Sequence, residues 1–184
     1  MNSFYSVEEL KELGLKSFGK NVLISKKASI YNSKEIEIGN NVRIDDFCIL
    51  SGKIKLANNI HIAAYSSLFA GNVGIELESF SCISSRCVIY SISDDYSGNY
   101  LTNPTVPNCY RNVIEEPVLL KKHVLIGTGS TVLPGVTIGE GTSIGAMTLV
   151  NKSLDSWGIY IGIPAKKIKD RSQKLLKLEE KINY

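Results

Sequence analysis

Residues 120–150 read LKKHVLIGTGSTVLPGVTIGEGTSIGAMTLV. An aliphatic residue returns at every sixth position: Leu120, Ile126, Val132, Ile138, Ile144 and Val150. Upstream the same step joins Ile38, Ile44, Leu50, Leu56, Ile62 and Leu68, and a shorter run, Leu77, Ile83 and Ile89, lies between the two. A period of six fits neither the 3.6 residues of a helical turn nor the two-residue alternation of a plain strand. It fits a short strand and a tight turn, repeated. Three such units close one triangular coil, and stacked coils pair their strands in parallel about 4.8 Å apart. Each coil buries its anchors only against the coils above and below, so the fold expected is an all-β solenoid with covered ends.

The position four residues after each anchor repeats independently. Val42, Cys48, Ile54, Ile60, Ser66, Ser81, Cys87, Val124, Ser130, Val136, Thr142 and Thr148 are all small or β-branched, and none is charged. Cys48 and Cys87 therefore read as small core residues. The four cysteines form no CxxC pair, so neither a zinc site nor a disulfide frame is expected. Gly39, Gly127, Gly139 and Gly145 directly follow anchors, where a Cβ would clash or φ must be positive.

The stretch IGTGSTVLPGVTIGEGTSIGAMTLV (126–150), followed by GIPAKKIKDR (162–171), resembles the hexapeptide-repeat acyltransferases. Galactoside, maltose and nodulation-factor acetyltransferases, and the O-antigen or capsule sugar acetyltransferases, are the members it looks most like. The resemblance implies a left-handed parallel β-helix, usually trimeric, and acetyl-CoA as co-substrate.

The rest of the chain fits one domain of 184 residues. A net charge of +3 without basic clusters gives no reason to expect nucleic acid as a partner. No apolar stretch is long enough for a membrane span. The N-terminal MNSFYSVEELKELGLK lacks a basic segment followed by an apolar core, so no export signal is expected and the cytoplasm is the expected compartment. Residues 1–19 read as a helical cap, with Ser6 and Glu9 as a capping box. Residues 20–163 read as the β-helix, interrupted by a loop at 90–117. The register slips by two residues near Lys34 and by three between Leu68 and Leu77, as corner insertions would cause. Residues 164–184 read as a basic amphipathic helix with Ile168, Leu175, Leu176 and Ile182 inward.

The loop SISDDYSGNYLTNPTVPNCYRNVIEEP (91–117) breaks a tight repeat without a packing reason, and long ordered loops often carry function. Tyr96, Tyr100, Tyr110 and Arg111 suit a sugar, whose ring has apolar faces and polar edges. An arm packed on a neighbouring subunit is the competing reading. In galactoside acetyltransferases a histidine at the matching loop position is the general base. Here SDDY (93–96) stands there, and Asp94 is the nearest match. Only His61 and His123 occur in the chain, both outside the loop. Three readings stay open. His61 is the base, from the outer side of a flat face. Asp94 or Asp95 is the base, unless the pair only caps the loop's turn. Or the acceptor is an amine and needs little help. His123 falls at a corner, where side chains are usually solvated.

For the donor, the small residues Gly127, Thr128, Gly145 and Ala146 leave room for a pantetheine arm beside the coils. In the galactoside acetyltransferase pattern the positions of Thr128, Ala146, Asn151, Lys152, Lys166 and Lys169 contact CoA. The function expected is acetyl transfer from acetyl-CoA to a hydroxyl or amino group of a sugar or nucleotide sugar, by direct attack on the thioester, in a homotrimer without a metal. A non-catalytic scaffold on the same fold is the alternative.

Overall fold

The computed structural model describes residues 3–182. They wind into a left-handed parallel β-helix with three flat faces. The first face stacks six short strands, from Ser17–Phe18 to Thr137–Ile138. The third face also stacks six, from Ser29–Tyr31 to Leu149–Val150. The second runs from Leu23–Ile24 through Gly158–Ile161. Neighbours on each face pair in parallel and in register: Ile54 stands against Ile75 and Ile75 against Val118, while Ile62 stands against Ile83 and Ile83 against Ile126. A one-residue slip would turn every anchor outward, so the buried core fixes the register.

The anchors fill the interior. Ile38 is 3% exposed, Leu56 2%, and Ile44, Leu50, Ile62, Leu68, Leu120, Ile126 and Val132 are fully buried. The second set of repeat positions lines the same core, including Cys48, Cys87, Ser66, Ser130 and Thr142. Their polar atoms bond to corner carbonyls: Ser66 Oγ donates to Ser84 O at 2.9 Å and Ser130 Oγ to Gly145 O at 3.0 Å. That satisfaction is what permits hydroxyls in this core. All four cysteines are free thiols.

The register slips are corner insertions. A 3₁₀ turn at Ser33–Glu35 takes up the first, and residues 70–74 take up the second. The corners divide the conformational burden differently from the sequence reading. Left-handed backbone recurs up two corners of the stack, at Asn21, Asn41, Asn59, Phe80, His123, Gly141 and Trp157 on one and at Phe47, Tyr65, Arg86, Gly129 and Met147 on another. The glycines after anchors lie outside that region, and crowding alone excludes a side chain there. A Cβ on Gly39 would stand 2.6 Å from Ala57 O.

A helix, Val7–Glu12, covers the first coil and buries Leu10. Its capping box forms in both directions: Ser6 N donates to Glu9 Oε2 at 2.7 Å, and Glu9 N donates to Ser6 Oγ at 3.2 Å. Residues 1 and 2 of the expected cap lie outside the described residues.

The C-terminal segment departs from the expected single helix. Lys166–Asp170 is a strand that folds back antiparallel on Gly158–Ile161, and the helix is confined to Leu176–Glu179. Ile168 and Ile182 are exposed rather than inward. The last strand of a solenoid leaves a row of unpaired backbone groups, and a charged returning strand covers that edge. Hydrogen bonding thus outweighs the weak amphipathic pattern. Residues 183 and 184 lie outside the described residues.

His123 also differs from expectation. It is 7% exposed, stacked on Phe80 at 5.1 Å, and bonded through Nε2 to Glu179 Oε2 at 2.8 Å. The C-terminal helix brings Glu179 over the corner and removes it from solvent.

Candidate active site

The loop at 91–117 leaves the barrel as an antiparallel hairpin, Ile92–Asp94 against Val113–Glu115. The hairpin roofs the third face and encloses a cleft of about 1000 Å³. The floor is outward-facing residues of that face: Phe69, Tyr90, Thr131, Leu133 and Asn151. Phe69 and Tyr90, from successive coils, stack with ring centroids 5.3 Å apart. The roof supplies Asp94, Tyr96, Arg111, Val113 and Ile114.

Of the loop residues singled out in the sequence, the structure brings Asp94, Tyr96 and Arg111 into this cleft. Asp94 Oδ1 pairs with Arg111 Nη2 at 3.5 Å, and Asp94 Oδ2 accepts from Asn103 N at 3.3 Å. Tyr96 stands at the rim with 93% of its surface exposed, so nothing within one chain covers it. Tyr100 and Tyr110 are exposed and outside the lining. Asp95 points away. Its Oδ1 accepts from Ser97 N at 2.6 Å in an Asx turn, and its Oδ2 accepts from Asn112 Nδ2 at 2.9 Å. The Ser97 bond, with that of Asn112, holds its carboxyl below the usual range. Asp95 caps the turn, whereas Asp94 faces the cleft.

His61 lies on the outer side of the second face, as alternation requires, and not in the cleft. Its Nε2 stands 2.8 Å from Asp45 Oδ2, and Arg43 Nε donates to Asp45 Oδ1 at 2.7 Å. Burial opposes ionisation of Asp45, but the bonds from His61 and Arg43 outweigh it, and its carboxyl is held below the ordinary value.

The corner between the second and third faces carries the small-residue column. Ala63, Ser84, Gly127 and Gly145 follow one another up the stack: Ala63 N donates to Ile83 O, Ser84 N to Ile126 O and Gly127 N to Ile144 O, at 2.8–2.9 Å. A Cβ on Gly127 would stand 2.6 Å from Ala146 N. Thr128 and Ala146 are exposed on the same corner. Thr131, just beyond this corner, belongs to the cleft floor. The cleft floor therefore begins beside the column, on the face that this corner opens. Asn151 reaches the cleft, and Lys152 lies exposed beside it. Lys166 and Lys169 are exposed on the returning strand. Among the described residues no three His, Cys, Asp or Glu side chains gather to hold a metal ion.

Ser84 was not a sequence candidate. Its only signal is a hydroxyl between Ala63 and Gly127 in a column that also carries Ser25 and Asp45, which a single sequence does not separate from packing.

The bacterial transferase hexapeptide (six repeats) family matches residues 117–152. The dTDP-4-amino-4,6-dideoxy-D-glucose acyltransferase of Escherichia coli is 50% identical over 174 residues, which cover 93% of this chain and 90% of that protein. The putative lipopolysaccharide biosynthesis O-acetyl transferase WbbJ of Escherichia coli K12 is 28% identical over 76% of this chain and 74% of its own length. Among solved structures, AntD, an N-acyltransferase from Bacillus cereus, superposes with a TM-score of 0.96 and is 59% identical, covering 98% of this chain and 96% of AntD. That structure holds dTDP-4-amino-4,6-dideoxyglucose and coenzyme A. AntD has been solved with its residue Ser84 replaced by Cys, Thr or Ala and its Asp94 by Ala or Asn. This chain also carries a serine at 84 and an aspartate at 94.

Proposed function

The chain belongs to the hexapeptide-repeat sugar acyltransferases, and from that premise we propose that it acylates the amino group of a nucleotide-linked 4-amino-4,6-dideoxy sugar, with a CoA thioester as donor. The observation that carries this reading is a cleft with Asp94 at its roof and no histidine among its described lining residues, in a chain 59% identical to an N-acyltransferase that binds such a sugar. A hydroxyl acceptor profits from a base, typically by a hundredfold or more. An amine already has a free lone pair when unprotonated, so a carboxylate that orients it is sufficient.

In this mechanism the acceptor nitrogen attacks the thioester carbonyl carbon. The N–C bond forms, the C–S bond breaks, and the nitrogen's proton ends on the departing CoA sulfur. Asp94 accepts a hydrogen bond from the amine, and Ser84, on the corner by which a neighbouring subunit would close the cleft, is the second polar contact at the nitrogen. Tyr96, at the rim, meets the sugar or its nucleotide. A backbone N–H of the 127–130 corner other than those of Gly127 and Gly129, which are donated to Ile144 O and Ser85 O, stabilises the oxyanion. The pantetheine arm lies along Gly127, Thr128, Gly145 and Ala146, where a missing side chain leaves the backbone accessible. Asn151 and Lys152 flank it, and Lys166 and Lys169 meet its phosphates as point charges. His61 has no part in the chemistry on this reading, because its ring is engaged by Asp45.

The assembly is a homotrimer. Exposed apolar side chains on one corner support it: Phe47 and Tyr65 stack at 4.9 Å between the second and third faces and, beyond Arg86 and Gly129 at the same position, Met147 and Ile163 stand at 67% and 74% exposure. Phe47, Tyr65 and Met147 all hold left-handed backbone, which non-glycine residues adopt at a cost. In the trimer this corner closes the neighbour's cleft and covers Tyr96. No described helix is long and apolar enough to cross a membrane, and acyl-CoA and nucleotide sugars are cytoplasmic metabolites, so the enzyme works in the cytoplasm on a precursor of surface polysaccharide.

The test is release of CoA thiol with dTDP-4-amino-4,6-dideoxyglucose and either acetyl-CoA or 3-hydroxybutyryl-CoA. Sugar-dependent thiol release with at least one donor is expected. No release with either, and no CoA binding by calorimetry, would refute the enzyme and favour a scaffold.

A further inference from the structure

The cleft has one cation among its described lining residues. Arg111 faces it beside two carboxylates, Asp94 and Glu116, and two phenols, Tyr90 and Tyr96. Asp95, on the same hairpin, is turned to Ser97 and Asn112. The Arg111 side chain is 14% exposed and its bonds are long: 3.5 Å from Nη2 to Asp94 Oδ1 and 3.3 Å from Nη1 to Asn108 Oδ1. Its Nε is buried without a partner, alone in that state among the buried side-chain nitrogen and oxygen atoms of the described residues. A buried donor left unsatisfied is destabilising, so packing gives no reason for an arginine here.

Chemistry gives one. Two carboxylates beside a bound amine favour its ammonium form, since an opposite charge within about 4–6 Å stabilises the charged state. An ammonium has no lone pair and does not attack a thioester. A guanidinium at the same place acts in the opposite sense. We propose that Arg111 is a positioning residue that aims Asp94 at the acceptor nitrogen while offsetting the negative field of the cleft, so that the acceptor is held as the free amine. This rests on the reading of the cleft as the site of an amino-sugar acceptor. Among the described residues no cation pairs with Glu116, the other facing carboxylate, which leaves Arg111 as the compensating charge in the cleft lining.

The experiment follows kcat against pH with saturating acyl-CoA and dTDP-4-amino-4,6-dideoxyglucose, because kcat reports ionisations in the bound complex. In R111Q the acid limb is expected to move up by about one pH unit. In R111K it stays near its original place, and in the double variant D94N/R111Q it returns there. Calorimetry in two buffers of different ionisation enthalpy gives a second readout that needs no turnover. The unaltered protein is expected to release a proton as it binds the sugar, and R111Q is not. An unmoved acid limb with unchanged proton release would overturn the inference. So would a loss confined to KM, which would make Arg111 an anion contact. If the unaltered chain does not turn over the amino sugar at all, the acceptor reading itself fails, and the inference with it.

Discussion

At the scale of single residues, the same side-chain type does different work according to its place in the coil. Asp94 faces a cleft, Asp95 caps a turn, and Asp45 ties the second face together. The adjacent pair was visible in the sequence as a pair, but alternation alone did not say which member faces inward, because the turn at Ser97 decides it. Asp45 gives a pH prediction. Its folded pKa is depressed below the ordinary aspartate value of about 3.9. Its contribution to stability is therefore fully present above the unfolded value and is lost as pH falls through the folded one. Asp45→Asn is expected to lower the melting temperature at neutral pH, and the gap to the unaltered protein should shrink steadily on acidification below pH 4. A gap independent of pH would mean that the His61–Asp45–Arg43 cluster adds no ionic stability.

At the scale of elements, strands and corners were legible because every coil repeats the same physical demand. An anchor must be aliphatic to fill the prism, and its partner position must be small. Ile126 shows the consequence: Ile126→Ala removes a fully buried side chain in contact with coils above and below, and should cost about 2–5 kcal/mol in denaturant unfolding. A change under about 0.5 kcal/mol would mean the stack re-closes around the gap. The C-terminal segment was less legible because it appears once, and KKIKD satisfies a strand as well as a helix. What decided between them is the open edge at Gly158–Ile161, which only the folded molecule presents. The basic side chains of that strand carry a prediction for the donor site. Replacing Lys166 and Lys169 together by Ala should raise KM for acyl-CoA about tenfold while leaving KM for the sugar and the melting temperature nearly unchanged. An unaltered KM for acyl-CoA would leave both lysines as surface charges.

At the scale of the whole molecule, the solenoid is a rule for placing distant segments side by side. Residues 84, 127 and 145 meet on one corner because they occupy equivalent positions in successive coils, and residues 92–94 meet 113–115 because the insertion leaves and re-enters at the same corner. The cleft was foreseeable as a loop but not as a volume, since its floor comes from Phe69, Tyr90 and Thr131, which carry no motif. The exposed apolar corner belongs to this scale too. If the proposed trimer forms through it, Phe47→Asp with Tyr65→Asp should convert trimers to monomers in sedimentation, with β-structure kept by circular dichroism and turnover lost; trimers that persist would move the interface elsewhere, and an unaltered protein that sediments as a monomer would contradict the trimer. The chemistry is tested most directly by offering one nucleotide sugar in two forms, with an amine or a hydroxyl at C4, under identical acyl-CoA, and weighing the products by mass spectrometry. One acyl group added to the amino form and none to the hydroxyl form is the expected result. Acylation of the hydroxyl form, or of neither, would contradict an amine acceptor held by Asp94.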